Sequence, residues 1–271
     1  MTDTPEDPQR TFRARVVTYD SAAGAAKDIA VAVEAPINIV YGDTPYAVMM
    51  VTPADIEDFV YGFSLTEGVI GSASEIRAIE VRRQHEGHVA SINLAPDALR
   101  RHMARRRNLS GRTSCGLCGV EDFKQLPAAT EKVGARNVAP PAIARALAAL
   151  HEKQDLFRTT RAVHAAAWCA EDGDVLVVRE DVGRHNALDK TIGACLRRGL
   201  SARDGFALIT SRCSFEMIEK TAIFGAPALV SVSAPTSLAI ERAQALGVTL
   251  IAVARDDGAL SFNVGSVADR R

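Results

Sequence analysis

A strand, a helix and a second strand follow one another in residues 175–209, which read VLVVREDVGRHNALDKTIGACLRRGLSARDGFALI. The apolar runs at 175–178 and 206–209 have the length of buried strands, and the apolar spacing within 187–198 predicts a helix. A strand, a helix and another strand in this order favour a right-handed crossover. The stretch therefore predicts an α/β fold with helices on the faces of a sheet.

The same alternation continues towards the C-terminus. Apolar runs at 228–232 and 249–254 predict two more strands. The segments 215–225 and 238–246 predict the helices that precede them. We therefore predict a C-terminal α/β domain over residues 140–271, with a largely parallel sheet.

The N-terminal half has a different pattern, in which several strands surround one helix. Five apolar segments predict strands, at 29–33, 37–41, 46–51, 76–81 and 88–94. After the third segment, Thr52 has the properties of a helix N-cap, with Pro53 at the first helical position. We predict a smaller α+β domain over residues 15–98, a flexible polar tail at 1–14 and a basic linker at 99–139.

The bulk composition is that of an ordinary globular protein. The chain has 271 residues, 47% of them hydrophobic, and a net charge of −1, which gives no general signal for nucleic acid. The polar N-terminus lacks the apolar core of a signal peptide, and no apolar run approaches the roughly 18 residues of a membrane helix. Five cysteines are an odd number and do not suggest a disulfide framework. We expect a cytoplasmic protein with reduced thiols and with neither nucleic acid nor membrane as a partner.

The linker contains two cysteines three residues apart, in the segment Ser114-Cys115-Gly116-Leu117-Cys118-Gly119. Residues 98–120 include six arginines and neither Asp nor Glu. Nearby cations favour the thiolate over the thiol, and the flanking glycines suit an exposed turn. The pattern predicts Cys115 and Cys118 as reactive residues.

Other interpretations of this pair stay open. A structural zinc site needs a second pair of ligands, which the chain lacks, so a zinc-binding role requires a bridge between two subunits. A thioredoxin-like redox pair normally lies between a strand and a helix, whereas this pair lies in a linker. Zinc deaminases need His-x-Glu ahead of the cysteines, but Ala166 stands two residues after His164, so we predict no resident metal.

Polar residues collect after each predicted strand of the C-terminal domain, at 180–186, 210–214, 233–237 and 255–258. In open α/β sheets ligands bind at the carboxyl ends of the strands, where helix N-termini favour anions. The loops therefore predict a cleft for a phosphorylated, nucleotide-bearing small molecule. Two alternatives remain: the Ser, Thr and Asn residues only cap helices, and His164 is a buried, hydrogen-bonded histidine rather than a ligand-binding one.

Several motifs in these segments resemble those of the FdhD family, the sulfur carrier proteins that mature formate dehydrogenases. The motifs are YAVMM (46–50), TPAD (52–55), GF (62–63), EG (67–68), SCGLCG (114–119), EDVGRHNALDK (180–190), SFEM (214–217) and SAPTS (233–237). The block at 180–190 is the longest and the most specific of them.

The resemblance implies a sulfurtransferase that accepts sulfur from a cysteine desulfurase as a persulfide on Cys115, with Cys118 as its helper. The acceptor would be the bis(molybdopterin guanine dinucleotide) form of the molybdenum cofactor, which GDP mimics, and the protein served would be the formate dehydrogenase apo-enzyme. The resemblance also implies a homodimer, a three-layer C-terminal domain similar in fold to cytidine deaminases, and a cofactor-binding stretch at 254–259.

The polar loops and the resemblance together predict thirteen cofactor-binding residues. They are His164, His185, Asn186, Asp189, Lys190, Ser211, Arg212, Ala254, Arg255, Asp256, Asp257, Gly258 and Ala259. Arg161 and Ala162 depart from the family, which usually has two glycines there, and Ala254 stands where relatives often carry an aromatic residue. Two other functions remain open: a cofactor-binding chaperone that moves no sulfur, and a thiol–disulfide oxidoreductase.

Overall fold

The computed structural model describes residues 6–17, 19, 24–106, 129 and 131–262 of the chain. Cys115 and Cys118 lie outside these residues. Within the described part, the strands form a two-stranded, a four-stranded and a six-stranded sheet. None of the helices there is long and apolar enough to cross a membrane.

The N-terminal half contains the two smaller sheets. Its elements are β1 (Gln9–Arg15), β2 (Ala26–Ala32), β3 (Ala35–Tyr41), β4 (Thr44–Val51), α1 (Ile56–Thr66), β5 (Ile76–Gln84), β6 (Gly87–Leu94) and α2 (Pro96–Arg106). Strands β1 and β2 pair with each other, and the four-stranded sheet has the order β4-β3-β6-β5 with a parallel pair at its centre. The five strands that the sequence predicts here are confirmed.

Three details of this half differ from the sequence prediction, and one is that helix α2 extends to Arg106, into the predicted linker. Residues 9–14 of the predicted flexible tail belong to β1, which the backbone ladder to β2 holds in place. Almost every β1 side chain is exposed, so no apolar alternation marks the strand in the sequence. The first helix begins after Asp55, in the left-handed region at φ 53°, and Thr52 is not its cap.

The C-terminal half is built around the six-stranded sheet. Its elements are α3 (Pro140–Glu152), α4 (Asp155–Thr160), β7 (His164–Ala170), β8 (Val175–Asp181), α5 (Arg184–Arg198), β9 (Gly205–Ile209), α6 (Phe215–Phe224), β10 (Ala228–Ser231), α7 (Ser237–Leu246), β11 (Thr249–Arg255) and β12 (Gly258–Ser261). The strand order is β12-β11-β10-β9-β7-β8. The predicted strands and helices from residue 175 onward are confirmed within a few residues.

The six-stranded sheet is mixed rather than largely parallel. Only the pairs β9–β10 and β10–β11 are parallel, while β7 is antiparallel to both β8 and β9. The residues at 164–170 do not predict a strand, because the run HAAAWCA is rich in alanine, which favours helix. Buried on both faces, this run instead fills the sheet between β8 and β9.

One continuous hydrophobic cluster joins the two halves, from Ile37 on β3 to Leu250 on β11. Helices α1 and α5 meet in it at two glycines. A Cβ atom on Gly62 would lie 1.8 Å from the Asp189 carbonyl oxygen, and one on Gly193 would lie 1.8 Å from the Asp58 carbonyl oxygen. The backbones of the two helices therefore touch, and the N-terminal half is packed directly on the sheet unit.

A second hydrophobic cluster lies on the opposite face of the six-stranded sheet. It takes Phe206 and Leu208 from β9, whereas the first cluster takes Ala207 and Ile209, as the alternation of a strand requires. Helix α3 covers this second face with Leu147 and neighbouring apolar residues. The sheet is thus covered by helices on both faces.

Candidate functional site

A cavity of about 900 Å³ opens at one edge of the six-stranded sheet. The carboxyl ends of β9, β10 and β11 reach it with Thr210, Val232 and Ala254. Strand β7 runs in the opposite direction and begins at the same edge with His164. Residues of α3 and α4 line its other wall. The cavity has the size of a small-molecule site and lies at the edge where the polar loops predict a ligand.

Five of the predicted cofactor-binding residues line this pocket: His164, Ala254, Arg255, Asp256 and Asp257. Strand β11 has a bulge between Ala252 and Arg255, and this bulge sets the direction of the pocket-lining residues 254–257. At the bulge Val253 has φ 54°, which is an outlier for a β-branched residue and the kind of backbone strain that clusters at functional sites. Arg255 donates from Nη1 to the carbonyl oxygens of Val232 and Ala254, so its guanidinium is held at the pocket rim.

Four other predicted residues lie outside the pocket lining. Gly258 and Ala259 begin the exposed edge strand β12. Ser211 is buried, and its hydroxyl donates to the carbonyl oxygen of Arg212 at 3.1 Å. The Arg212 side chain is exposed. The ligand-binding roles of these residues stay predictions.

A group of basic side chains, here called the cationic cluster, consists of His164, Arg184, His185, Arg212 and Lys220. Burial lowers the pKa of His164, and the charges of Arg184 and Arg212 lower it further. Burial lowers the pKa of His185 to about 3, with Lys220, Arg184 and His164 acting in the same direction. Both imidazoles are therefore neutral at physiological pH.

Glu216 is one of the acidic neighbours of the cationic cluster. Its Oε2 atom lies 3.2 Å from His185 Nε2, and because the imidazole is neutral, the contact is not an ion pair between two full charges. Burial raises the pKa of Glu216, an effect that the charges of Lys220 and Arg184 partly offset. The permanent charges of the cluster come from Arg184, Arg212 and Lys220.

Two buried polar atoms at the starts of helices have no hydrogen-bond partner among the described residues: Arg184 Nε, at the start of α5, and Ser214 Oγ, at the N-cap of α6. Neither helix has a side-chain cap in this part of the chain. By contrast, Thr236 caps α7 by accepting a hydrogen bond from Ala239 N at 3.3 Å. The capping interpretation therefore holds for Thr236 and does not hold for Ser214.

The block at 180–190 forms a buried joint with the segment after β4. Lys190 Nζ lies 2.7 Å from Asp181 Oδ2, and both side chains are fully buried. Three groups of Thr52 contact the block: its N–H donates to Asp181, its hydroxyl accepts from Val182 N, and its carbonyl oxygen accepts from Lys190. Asn186 donates to Met50 O at 2.7 Å and to Asp181 Oδ1 at 2.9 Å.

Asp189 lies in a second buried contact between the same halves. Its carboxylate accepts from the Thr66 hydroxyl at 2.8 Å and pairs with Lys220 at 2.8 Å. Burial raises the pKa of Asp189, and the charge of Lys220 acts against that shift. The structure thus places Asn186, Asp189 and Lys190 in the joint between the halves rather than in the pocket lining. A ligand-binding role for these three residues stays a prediction.

Arg161 enters the pocket wall at the end of α4. It has φ 56°, a left-handed conformation that glycine adopts without cost and that explains why glycine suits this position. Its guanidinium carbon lies 5.3 Å from the centre of the Phe157 ring. Among the described residues Arg161 has no carboxylate partner, so its positive charge is available to a ligand in the pocket.

The three cysteines within the described residues are core residues. Cys169, Cys195 and Cys213 are buried, and burial raises the pKa of each to about 12. Such thiols are poor nucleophiles at neutral pH. The described residues also contain no group of three His, Cys, Asp or Glu side chains able to hold a metal ion.

These features define a mixed α/β protein with a small-molecule pocket and a cationic cluster at the carboxyl edge of its C-terminal sheet. A match to the FdhD/NarQ family covers residues 32–270. The chain belongs to this family.

Similar proteins extend over most of the chain. The sulfur carrier protein FdhD of Xanthomonas axonopodis pv. citri (strain 306) is 45% identical over 236 residues, which are 86% of this chain and 83% of that protein. The sulfur carrier protein FdhD of Agrobacterium fabrum is 45% identical over 251 residues, covering 91% and 90% of the two chains. A crystal structure from Desulfotalea psychrophila, described as a formate dehydrogenase accessory protein, matches with a TM-score of 0.74 at 26% identity and covers 96% of this chain and 99% of that one.

Proposed function

We propose that this chain is a sulfur carrier that acts as a sulfurtransferase in the maturation of a formate dehydrogenase. The observation that carries the proposal is its similarity, at 45% identity over most of both chains, to proteins named sulfur carrier protein FdhD. The pocket and the cationic cluster support an anionic, nucleotide-bearing acceptor for the sulfur. The partners are a cysteine desulfurase, which supplies the sulfur, and the formate dehydrogenase apo-enzyme, and the reaction takes place in the cytoplasm.

Loading takes place on the CxxC motif. The thiolate of Cys115 attacks the terminal sulfur of a persulfide on the desulfurase, so that a bond forms between Cys115 Sγ and that sulfur. The S–S bond of the donor breaks, and the donor cysteine leaves as a thiolate, with no net oxidation. The six arginines among residues 98–120 favour both the attacking thiolate and the charged persulfide.

Release uses the second cysteine. The thiolate of Cys118 attacks Cys115 Sγ, a disulfide forms between the two residues, and the terminal sulfur leaves as hydrosulfide for the acceptor. Two molecules of a cellular thiol then reduce the disulfide, which forms a disulfide between them and restores both cysteines. The step thus gives Cys118 the helper role that the resemblance implies.

The acceptor is the bis(molybdopterin guanine dinucleotide) cofactor, bound as a substrate. The pocket residues Asp256 and Asp257 present carboxylates, which accept the hydrogen bonds that the amino group of guanine donates. Arg161 and Arg255 at the pocket, together with Arg184 and Arg212 of the cationic cluster, whose charges act on His164, provide positive charge for phosphate groups. A homodimer would offer two such pockets to the two guanine dinucleotides of one cofactor.

Two measurements test this function. Mass spectrometry of the protein after incubation with a cysteine desulfurase and cysteine is expected to show a gain of one sulfur atom, which is lost in Cys115→Ala. Calorimetry with GDP is expected to show binding that weakens in Arg255→Ala. If the wild-type protein gains no sulfur and the Cys115→Ala variant still supports formate dehydrogenase activity, the protein is a cofactor-binding chaperone. Turnover of generic disulfides without any nucleotide requirement would instead indicate an oxidoreductase.

A further inference from the structure

Ala129 is the first described residue after the stretch that contains both reactive cysteines, and side chains hold both of its main-chain polar groups. Its N–H donates to Glu219 Oε2 at 2.6 Å. Its carbonyl oxygen accepts from Arg242 Nη2 at 2.9 Å. Glu219 and Arg242 also pair with each other through Oε1 and Nε. The three residues form a closed unit, here called the Ala129 clamp.

The carboxylate of the Ala129 clamp is buried. The Glu219 side chain is 3% exposed, and a buried carboxylate requires charge-assisted partners to offset its lost hydration. Arg242 provides one partner and the N–H of Ala129 provides the other, so the chain segment itself completes the site. Both the N–H and the carbonyl oxygen of Ala129 are hydrogen-bonded to side chains. The position of Ala129 and the direction of the backbone there are therefore both fixed.

A second attachment follows four residues later. Val133 N donates to Leu246 O at 2.9 Å, and Arg203 Nη1 donates to Val133 O at 3.2 Å. On the other side of the cysteine stretch, His102 of α2 is buried, with its ring centre 5.0 Å from that of Tyr41. The chain thus leaves and returns at packed positions of the molecule.

The clamp is built on the helix that reaches the candidate site. Glu219 follows Glu216 by three residues on α6, so both lie on one side of the helix, one turn apart. Glu216 contacts His185 of the cationic cluster, and Lys220 belongs to that cluster. Since a helix is a rigid rod, the return point of the cysteine stretch is fixed relative to the cluster.

We propose that Glu219 and Arg242 are positioning residues for sulfur delivery, an inference that rests on the proposed sulfur-carrier function. Eleven residue steps separate Cys118 from Ala129, which limits the reach of Cys118 to about 40 Å from the clamp. Fixing that point at α6 keeps the cysteines at a high effective concentration near the acceptor site. Without the clamp the next attachment is Val133, four residues further along the chain, and the longer tether lowers this effective concentration.

Variants of the full-length protein separate positioning from general stability. Arg242→Ala and Glu219→Ala open the clamp, whereas Glu219→Gln keeps an oxygen acceptor for Ala129 N. The matched control is Arg197→Ala, which removes an arginine 2.6 Å from the buried carboxylate of Asp58, away from the clamp. Hydrogen exchange of the peptide containing residues 129–133 is expected to accelerate in the two clamp-opening variants only.

The functional readout is split into loading and delivery. Persulfide formation on Cys115 by a desulfurase is expected to stay at the wild-type level in every variant. Formate dehydrogenase activity per persulfide-loaded protein, in cells that depend on this carrier, is expected to fall about twofold in Arg242→Ala and Glu219→Ala, because the tether from Cys118 to its next attachment at Val133 lengthens from 11 to 15 residue steps. Glu219→Gln is expected to restore most of that loss, and Arg197→Ala to show none.

The outcomes distinguish two failures. If the wild-type protein never gains sulfur, the proposed sulfur-carrier function is wrong, and the positioning role is wrong with it. If loading is normal and the clamp-opening variants deliver as well as wild type, only the positioning role is overturned. An equal loss in Arg197→Ala also overturns it, because the effect would then follow stability. Should Arg242→Ala fail to fold, the pair Glu219→Ala and Glu219→Gln decides by the same criteria.

Discussion

The ammonium group of Lys190 lies 2.7 Å from the carboxylate of Asp181, and neither side chain is exposed to solvent. Both residues belong to the most specific motif of the chain, yet their further partners are Thr52 and Asn186 rather than groups in the pocket. The motif therefore joins the N-terminal half to the start of α5. Arg184 and His185, in the first turn of that helix, depend on this joint for their position.

Breaking the buried pair is expected to be costly. Lys190→Met leaves the Asp181 carboxylate buried without its cation, and the free energy of unfolding should fall by about 3–5 kcal/mol. Urea unfolding measures this change. The double variant Asp181→Asn with Lys190→Met should recover part of the loss, because no charge stays buried. Arg82→Ala, which opens the exposed Arg82–Glu80 pair, serves as the control and should leave the unfolding curve nearly unchanged.

The contact between α1 and α5 is expected to tolerate no side chain at its glycines. Gly193→Ala places a methyl group 1.8 Å from the Asp58 carbonyl oxygen, so the helices have to separate. We expect a loss of about 2 kcal/mol or more in the free energy of unfolding. Gly71→Ala is the matched control, since its nearest atom is 4.0 Å away. Equal stability of the two variants would contradict the close approach.

The pH dependence of stability is expected to carry the signature of His185. Its folded pKa is about 3, below the ordinary 6.5, so between these values the unfolded chain binds more protons. The free energy of unfolding should therefore decrease as the pH falls through this window, by about 2 kcal/mol between pH 7 and pH 5 from this group alone.

The variant His185→Gln isolates this contribution. It should flatten the curve between pH 7 and pH 5, as followed by urea unfolding at each pH. Glu216, whose pKa is raised, is present in both proteins and so contributes to both curves. Parallel curves for the two proteins would show that His185 is not buried as a neutral group.

Arg161 is expected to support ligand binding, although its backbone has a left-handed conformation that is unfavourable for arginine. Arg161→Gly removes the cation from the pocket and should weaken GDP binding about fivefold, which corresponds to about 1 kcal/mol. The melting temperature should not fall, because glycine relieves the left-handed strain at φ 56°. Calorimetry and thermal unfolding measure the two effects. Arg158→Ala, on the same helix but outside the pocket lining, should bind GDP as wild type does.

Thiol reactivity should divide the five cysteines into two groups. Iodoacetamide at neutral pH is expected to label Cys115 and Cys118 in the native protein. Cys169, Cys195 and Cys213 should stay unmodified, because burial hides them and raises the pKa of each to about 12. Peptide mass spectrometry reads the result, and denatured protein, in which all five cysteines react, is the control. Rapid native labelling of Cys213 would contradict its place in the core.

Local sequence patterns were sufficient to predict much of the secondary structure. They were also sufficient to predict the edge of the sheet at which the pocket lies. The helix predicted at 215–225 matches α6, and the run at 249–254 matches β11, because apolar periodicity reflects burial directly. Strand β1 and the alanine-rich β7 escaped prediction for opposite reasons. The first has almost no buried side chains to mark it, and the second is buried on both faces with a helix-like composition.

By itself the sequence determined the alternation of strands and helices from residue 175 onward, the five strands of the N-terminal half and the family to which the chain is similar. These properties depend on neighbouring residues and on motifs, both of which a linear chain displays. Only the tertiary structure decided that Thr52 meets Asp181 across 129 positions, and that Ala129 meets Glu219 across 90. Such pairs form because a buried charge or peptide group requires a partner, and which partner is within reach depends on how the helices and sheets pack.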